Sequence, residues 1–328
     1  MSETASPSGT LSVVESAWRD EAIWSETANQ LKAGLSSWRY RAAIAGVLGA
    51  ILETLSGTLS ALNGWQWAAP PLALVGAVIL AVVPYVVRTK TSREQIAAWV
   101  RARSASEALK EAIYRYLFGA PPFAPEPAPA ALLARCQAVK ERVQDLGALA
   151  ATVDPPRKER PLTLTPESYA GTRINGQIDG YYRPQARKNA RAAKRLHDLE
   201  FILGLVAVAL GAASGLQWLS GLAPWVAVVT TAGGAVTAHL AASRYDHQAM
   251  TYFATAERLT GLRDEWLAAA DRLTSARVAK FVDDCEHAIS TENEAWLADW
   301  TRDRGEGTPG PYRAAGAGPG SAPPPAAP

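Results

Sequence analysis

Residues 42–87 read AAIAGVLGAILETLSGTLSALNGWQWAAPPLALVGAVILAVVPYVV. Two apolar runs, 42–62 and 67–87, flank the short turn Asn63-Gly64-Trp65-Gln66. The first run holds one charge, Glu53, and the second holds none. At 1.5 Å per residue each run reaches about 30 Å, the hydrocarbon thickness of a bilayer. A buried helix of a soluble bundle of this length would show a polar stripe. The stretch therefore predicts two transmembrane helices joined by a tight turn, with Pro70 and Pro71 in the first turn of the second helix, where a missing N–H does no harm.

The pattern returns further along. Residues 201–222 are uncharged, and 224–242 carry only His239 as a titratable group, with Pro224 placed to open the fourth span. Lys32, Arg39 and Arg41 precede the first hairpin, and Arg88, Lys90 and Arg93 follow it. Arg187, Lys188, Arg191, Lys194 and Arg195 precede the second, and Arg244 follows it. Neither tight turn contains a Lys or Arg, so the positive-inside rule puts both turns outside and both termini in the cytoplasm. Tryptophan placement agrees: Trp65, Trp67, Trp218 and Trp225 cluster at the turns and Trp38 at an inner flank, the headgroup levels that amphipathic rings prefer. The expected fold class is an all-α membrane protein with two two-helix transmembrane hairpins and long amphipathic cytoplasmic helices.

Between these spans the chain divides by composition. Residues 1–10 are small and polar and are expected to be disordered. A first unit covers 11–119: an amphipathic helix over 13–41, with Val14, Trp18, Ile23, Trp24, Leu31 and Leu35 as its apolar positions, then the hairpin, then a helix over 95–118 ended by Gly119. Residues 120–166 form a Pro-rich linker with a short helix over 132–149. A second unit covers 167–304. Its last part, 243–302, lacks Pro and repeats apolar residues at helical spacing, but the stripe slips phase near 273–277. A helix folded back there into an antiparallel pair is the more economical reading. Residues 305–328 are too poor in hydrophobic residues to fold.

Charge and side-chain chemistry exclude several classes. Lys+Arg 33 against Asp+Glu 31 leaves +2, which removes a strongly basic nucleic-acid binder, and no nucleic-acid partner is expected. Two cysteines, Cys136 and Cys285, cannot build a disulfide framework or a four-ligand zinc site. His197, His239, His247 and His287 are scattered, and none pairs with a nucleophile at useful spacing. The run Asp283-Asp284-Cys285-Glu286-His287 cannot close around one metal, because neighbours one and two apart on a helix diverge. It is expected to be a solvated face with Cys285 turned inward. No catalytic residue, metal or cofactor is expected.

Glu53 lies mid-span, where insertion of a charge costs on the order of 3 kcal/mol. Ala42, Gly46, Gly49, Glu53, Ser56 and Ser60 follow helical steps and form one small or polar stripe, while Leu48, Leu52, Leu55, Leu59 and Leu62 fall largely off it. Such a stripe either packs on a helix or lines water, so Glu53, Gly46, Gly49, Ser56 and Ser60 are pore-lining candidates. Gly211, Gly215 and Gly233 are candidates for close helix packing.

The order of elements repeats: basic helix, hairpin, basic exit, amphipathic helix. Glu107-Ala-Leu-Lys beside Glu257-Arg-Leu-Thr suggests internal duplication at an offset of about 150 positions. In the second unit Arg173-Ile-Asn-Gly-Gln177, Tyr181-Tyr182 and Ala186 precede a basic helix and a hairpin. At its end come Phe281-Val282, Glu286, Ile289, Glu292-Asn293 and Trp296. This pattern resembles the SLATT domains, the SMODS- and SLOG-associating two-TM effectors of bacteria. The motif residues are Arg173, Gln177, Tyr181, Tyr182, Glu286, Glu292 and Trp296. The first unit, with Trp18-Arg19, Trp24, Ala28 and Arg39 ahead of its hairpin, resembles a more divergent copy. The resemblance covers about residues 11–301 and implies a pore-forming effector in antiphage or conflict systems. It would reside in the bacterial inner membrane, assemble as a homo-oligomer in the lipid bilayer, and answer to a nucleotide-signal synthase or sensor protein. No predicted strand–helix junction of the chain carries a G-x-G-x-x-G loop or a Walker motif. The other reading of the same features is a membrane-anchored scaffold whose cytoplasmic helices bind a partner.

Overall fold

The computed structural model of the chain describes residues 7–123, 128–154, 164–216, 221–268 and 274–302, with side chains from 13 to 291 within those stretches. All regular structure among these residues is helical. Helix α1 runs unbroken over Pro7–Ser60, so the amphipathic helix and the first span are one rod about 80 Å long. It begins at Pro7, inside the segment expected to be disordered; residues 1–6, and 303–328 with the whole of the tail expected to be disordered (305–328), lie outside the described residues. Proline is at home at this first position, where its missing N–H has no partner to lose.

Gly64, at a φ of 91°, takes the left-handed turn that a side chain would resist, and the chain returns as α2, Ala69–Lys90, with Pro70 and Pro71 in the first turn and Pro84 inside the helix. Only Thr91 and Ser92 separate α2 from α3, Arg93–Leu117. Ser92 caps α3 by accepting from the Gln95 N–H at 3.3 Å. Gly119 ends that helix at a φ of 59°. Helix α4, Pro129–Glu141, lies within the expected linker, yet it is not a spacer. Leu132, Cys136, Val139, Val143 and Leu146 recur at helical spacing and are buried in one core with α1 and α3.

The second unit opens on a segment for which the sequence reading named motif residues but no element. Residues Tyr169–Ile174 and Gly176–Tyr182 are π-helical, introduced by a Thr165–Ser168 capping box. Buried positions there fall near every fourth residue (Ala170, Ile174, Ile178, Tyr182 and Ala186), wider than the 3.6 of an α-helix. Then follow α5, Arg183–Ser214, and α6, Ala223–Ser243. The third span thus ends at Ser214, well short of residue 222; Trp218 and its neighbours 217–220 lie outside the described residues, as do 155–163 of the expected linker. To reach span length α5 must draw in residues before Phe201, including Glu200. Arg244, in the left-handed conformation at φ 49°, breaks α6 from α7, Tyr245–Ala268. Helix α8, Ser275–Arg302, packs back on α7, with Trp266 and Phe281 stacked 4.6 Å apart. The fold-back read from the phase slip is what the chain adopts.

Four helical stretches are long and apolar enough to cross a membrane. Helix α1 packs on α2, α5 on α6, and α1 meets α6 between the two pairs. At most 17% of residues in their apolar windows are buried within the chain, so these surfaces face outward. Below them, α1, α3 and α4 share one core, and the π-helical segment, α7 and α8 share a second, with Tyr114 of α3 built into the latter.

Candidate functional site

The stripe on α1 meets α2. Ser56 is buried and donates to the Ala69 carbonyl at 2.7 Å, in the first turn of α2. Gly49 and Gly76 face each other closely: a methyl at Gly76 would lie 3.2 Å from the Gly49 carbonyl oxygen and 3.1 Å from Glu53 Oε1. Three of the five pore-lining candidates, Gly49, Glu53 and Ser56, are thus turned toward α2. Gly46 faces open space, and Ser60 is exposed with its hydroxyl on the Gly57 carbonyl at 2.7 Å. Glu53 is half-buried beside α2.

The second pair has a carboxylate of its own that the sequence reading placed outside the span. Glu200 of α5 accepts a short hydrogen bond from the Thr237 hydroxyl of α6. In each pair, therefore, an acid of the first helix (Glu53, Glu200) sits against the second helix. The packing candidates behave otherwise. Methyls at Gly211 and Gly233 would meet no neighbour, and one at Gly215 would meet only the Ala212 carbonyl of its own helix. Within one chain these glycines leave an open face.

Beneath the spans a chain of buried charges runs across both units. Glu21 of α1, fully buried, accepts from Ser106 Oγ at 3.1 Å and from Lys110 Nζ at 3.2 Å, both on α3. Lys110 also reaches Glu107 at 3.4 Å. Burial alone would raise the Glu107 carboxyl, but Lys110, Arg173 and Arg103 outweigh it and bring the pKa down to about 2. Arg173, from the π-helical segment, lies 4.8 Å over the Tyr114 ring and binds Glu286 of α8 bidentately at 3.0 and 2.9 Å. Burial works against the guanidinium's charge, yet Glu286 holds its pKa well above the usual value. Tyr169 completes the site by donating to Glu286 Oε1 at 3.0 Å. A second tie, Arg115 to Asp283 at 3.0 Å, joins α3 to α8 alongside.

Two motif residues far apart in sequence, Arg173 and Glu286, are therefore one ion pair. Tyr182 is buried and Tyr181 half-buried, both packed near Tyr252, while Gln177 is half-buried. The side chains of Glu292 and Trp296 lie outside the described residues. Cys285 is turned inward as expected, but Glu286, expected on the solvated face of 283–287, is buried as well. Cys285 and Glu286 are both buried because successive residues here straddle the edge between α3 and α7. Sequence reasoning missed Glu21, Glu107, Lys110, Tyr114 and Tyr169. One signal for Glu21 was available, since it occupies the stripe set by Val14, Trp18, Trp24, Ala28, Leu31 and Leu35, where an acid needs a buried partner.

The arrangement clamps helices together. Its carboxylates and cations satisfy one another, and among the described residues no group of three or more His, Cys, Asp or Glu side chains is placed to hold a metal ion. Compared with known families, residues 169–296 match the one described as SMODS and SLOG-associating 2TM effector domain 1, and residues 23–131 match one described as a protein of unknown function, DUF4231. No curated protein and no solved structure matches the chain.

Proposed function

With residues 169–296 a member of the SLATT family of two-TM effector domains, we propose that this chain is a tandem SLATT membrane effector of a bacterial conflict system that assembles into an oligomeric pore. The observation that carries the proposal is the outward apolar surface. Four span-length helices bury at most 17% of their apolar windows inside the chain. That surface requires lipid and further copies of itself, and the open glycine face of α5 offers close approach to another helix. The hairpin turns lie outside and the cytoplasmic helices form the regulated body, an orientation supported by the absence of Lys and Arg from residues 61–68. The chain is not an enzyme in this reading, and a nucleotide-signal synthase or sensor would act on it as a separate partner. Dye and ion release from liposomes holding the purified chain tests the proposal. Release that scales with protein density supports it. Intact liposomes at confirmed insertion, with the system's signal supplied, overturn it.

One observation favours an anchored scaffold. Gly49, Glu53 and Ser56, the polar face expected to line water, are spent on the α1–α2 contact. A chain that inserts, fails to conduct and retains a cytoplasmic partner would establish that second reading.

A further inference from the structure

A cleft of about 700 Å³ runs along α1 just before the first span, with α3 and the chain after α4 as its other walls. Leu35, Trp38, Leu146 and Leu149 give it an apolar lining, and its size is that of a ligand site. Four charged residues also line it: Lys90, Glu94, Arg101 and Asp145. Arg101 and Asp145 satisfy each other as a bidentate pair, which leaves one cation and one acid. Among the described residues no salt bridge reaches Lys90 or Glu94, and both side chains are exposed. Lys90 lies 5.8 Å over the Trp38 ring, and Arg41 lies 5.1 Å over the same ring, so positive charge gathers at that end of the cleft.

We propose that the mouth of this cleft binds the headgroup of phosphatidylethanolamine, its phosphate on Lys90 and its primary ammonium on Glu94. Depth points to a lipid. Trp38 precedes the span at residue 42 by about 6 Å of helix, and Lys90 follows residue 87 by about 5 Å. The headgroup layer occupies about 5–8 Å beyond the hydrocarbon, so both residues stand within it. The Gln95 side-chain amide donates to the Thr89 carbonyl at 3.2 Å and keeps the start of α3, with Glu94, beside the end of α2. Headgroup chemistry then narrows the occupant. Phosphatidylglycerol offers Lys90 a phosphate but brings Glu94 no cation. Phosphatidylcholine brings a cation without an N–H to donate. An ethanolamine headgroup meets both, and its ammonium forms charge-assisted hydrogen bonds with a carboxylate. Its acyl chains stay in the bilayer, so the bound lipid braces the Thr91–Ser92 elbow between α2 and α3 against α1.

The test titrates the full chain in detergent with phosphatidylethanolamine, phosphatidylcholine and phosphatidylglycerol of identical acyl chains, and native mass spectrometry counts the lipid retained, so it needs no conduction. Phosphatidylethanolamine should bind about tenfold more tightly than the other two, the worth of one charge-assisted hydrogen bond. Glu94→Gln should bring it down to the level of phosphatidylcholine while leaving phosphatidylcholine itself within about twofold, and Lys90→Gln should weaken all three lipids. A control at an exposed acid of α4 outside the cleft, Glu141→Gln, should leave the preference in place. Equal retention of the three lipids, or an undiminished preference in Glu94→Gln, would overturn the assignment. Displacement of the lipid by dissolved phosphoethanolamine at matching concentration would overturn it too, by making this a site for a soluble headgroup.

Discussion

The Arg173–Glu286 pair is where a single atom's placement has the widest reach. Both side chains are at most 4% exposed, and each is the other's main compensation for leaving water. Glu286→Ala or Arg173→Ala should therefore destabilise the helical body outside the spans by about 3–5 kcal/mol, because a buried charge is left unpaired. Thermal unfolding of the chain in detergent measures this, and an unchanged midpoint in either variant would remove the clamp. Glu107 makes a separate statement about pH. Its folded pKa of about 2 lies below the unfolded value near 4.5, so its contribution is complete above pH 4.5 and is lost as the pH falls toward 2. A stability profile between pH 6 and 3 should decline, and Glu107→Gln should flatten that decline while lowering stability at neutral pH. Equal slopes in the two proteins would show that Glu107 is not held charged by its neighbours.

At the scale of elements, the α1–α2 contact depends on the absence of two side chains. A methyl at Gly76 would meet the Gly49 backbone oxygen at 3.2 Å and Glu53 at 3.1 Å. A methyl at Gly49 would meet only the movable Leu80 side chain at that closeness or nearer. Gly76→Ala should thus loosen the pair by about 1–3 kcal/mol, the usual cost of overpacking, and more than Gly49→Ala does. Crosslinking between cysteines placed on the two helices can rank the variants; the reverse order would contradict this packing. The elements differ in how far the sequence revealed them. Three of the spans, the first turn and the break before α8 were legible because each rests on local signals: unbroken apolar length, proline in a first turn, and a phase slip; the third span, whose helix stops at Ser214, was read too far. The π-helical segment was not legible, since its four-residue spacing also suits an α-helix over two turns, and Gly171, Gly176 and Gly180 supply no packing side chains to distinguish them. The site itself was half legible. The motif supplied Arg173 and Glu286, but their union, and the share of Glu21 and Lys110 in it, arises from α8 crossing onto α3, which no local pattern encodes.

The whole molecule joins two hairpin units by charge below and by the α1–α6 contact above, where Arg39 donates to the Ala242 carbonyl at 3.3 Å and caps the end of α6. That joint fixes the relative direction of the spans. Arg39 lies before the first span and Ala242 at the end of the fourth, so both mark one membrane face, and Asn63 in the first turn marks the other. Basic residues fill the first face and are missing from the second, and the proposed orientation, with the first face inward, rests on that asymmetry. The natural cysteines do not interfere with a test. Cys136 and Cys285 are buried, and burial pushes the Cys136 thiol up to about 11 and raises Cys285 further, so little thiolate forms near neutral pH. Asn63 is exposed in its turn. In intact cells Asn63→Cys should react with an impermeant maleimide, while the natural chain should stay unlabelled until the membrane is opened and the protein denatured. Labelling of the natural chain in sealed cells, or protection of Asn63→Cys there with reaction after lysis, would invert the topology.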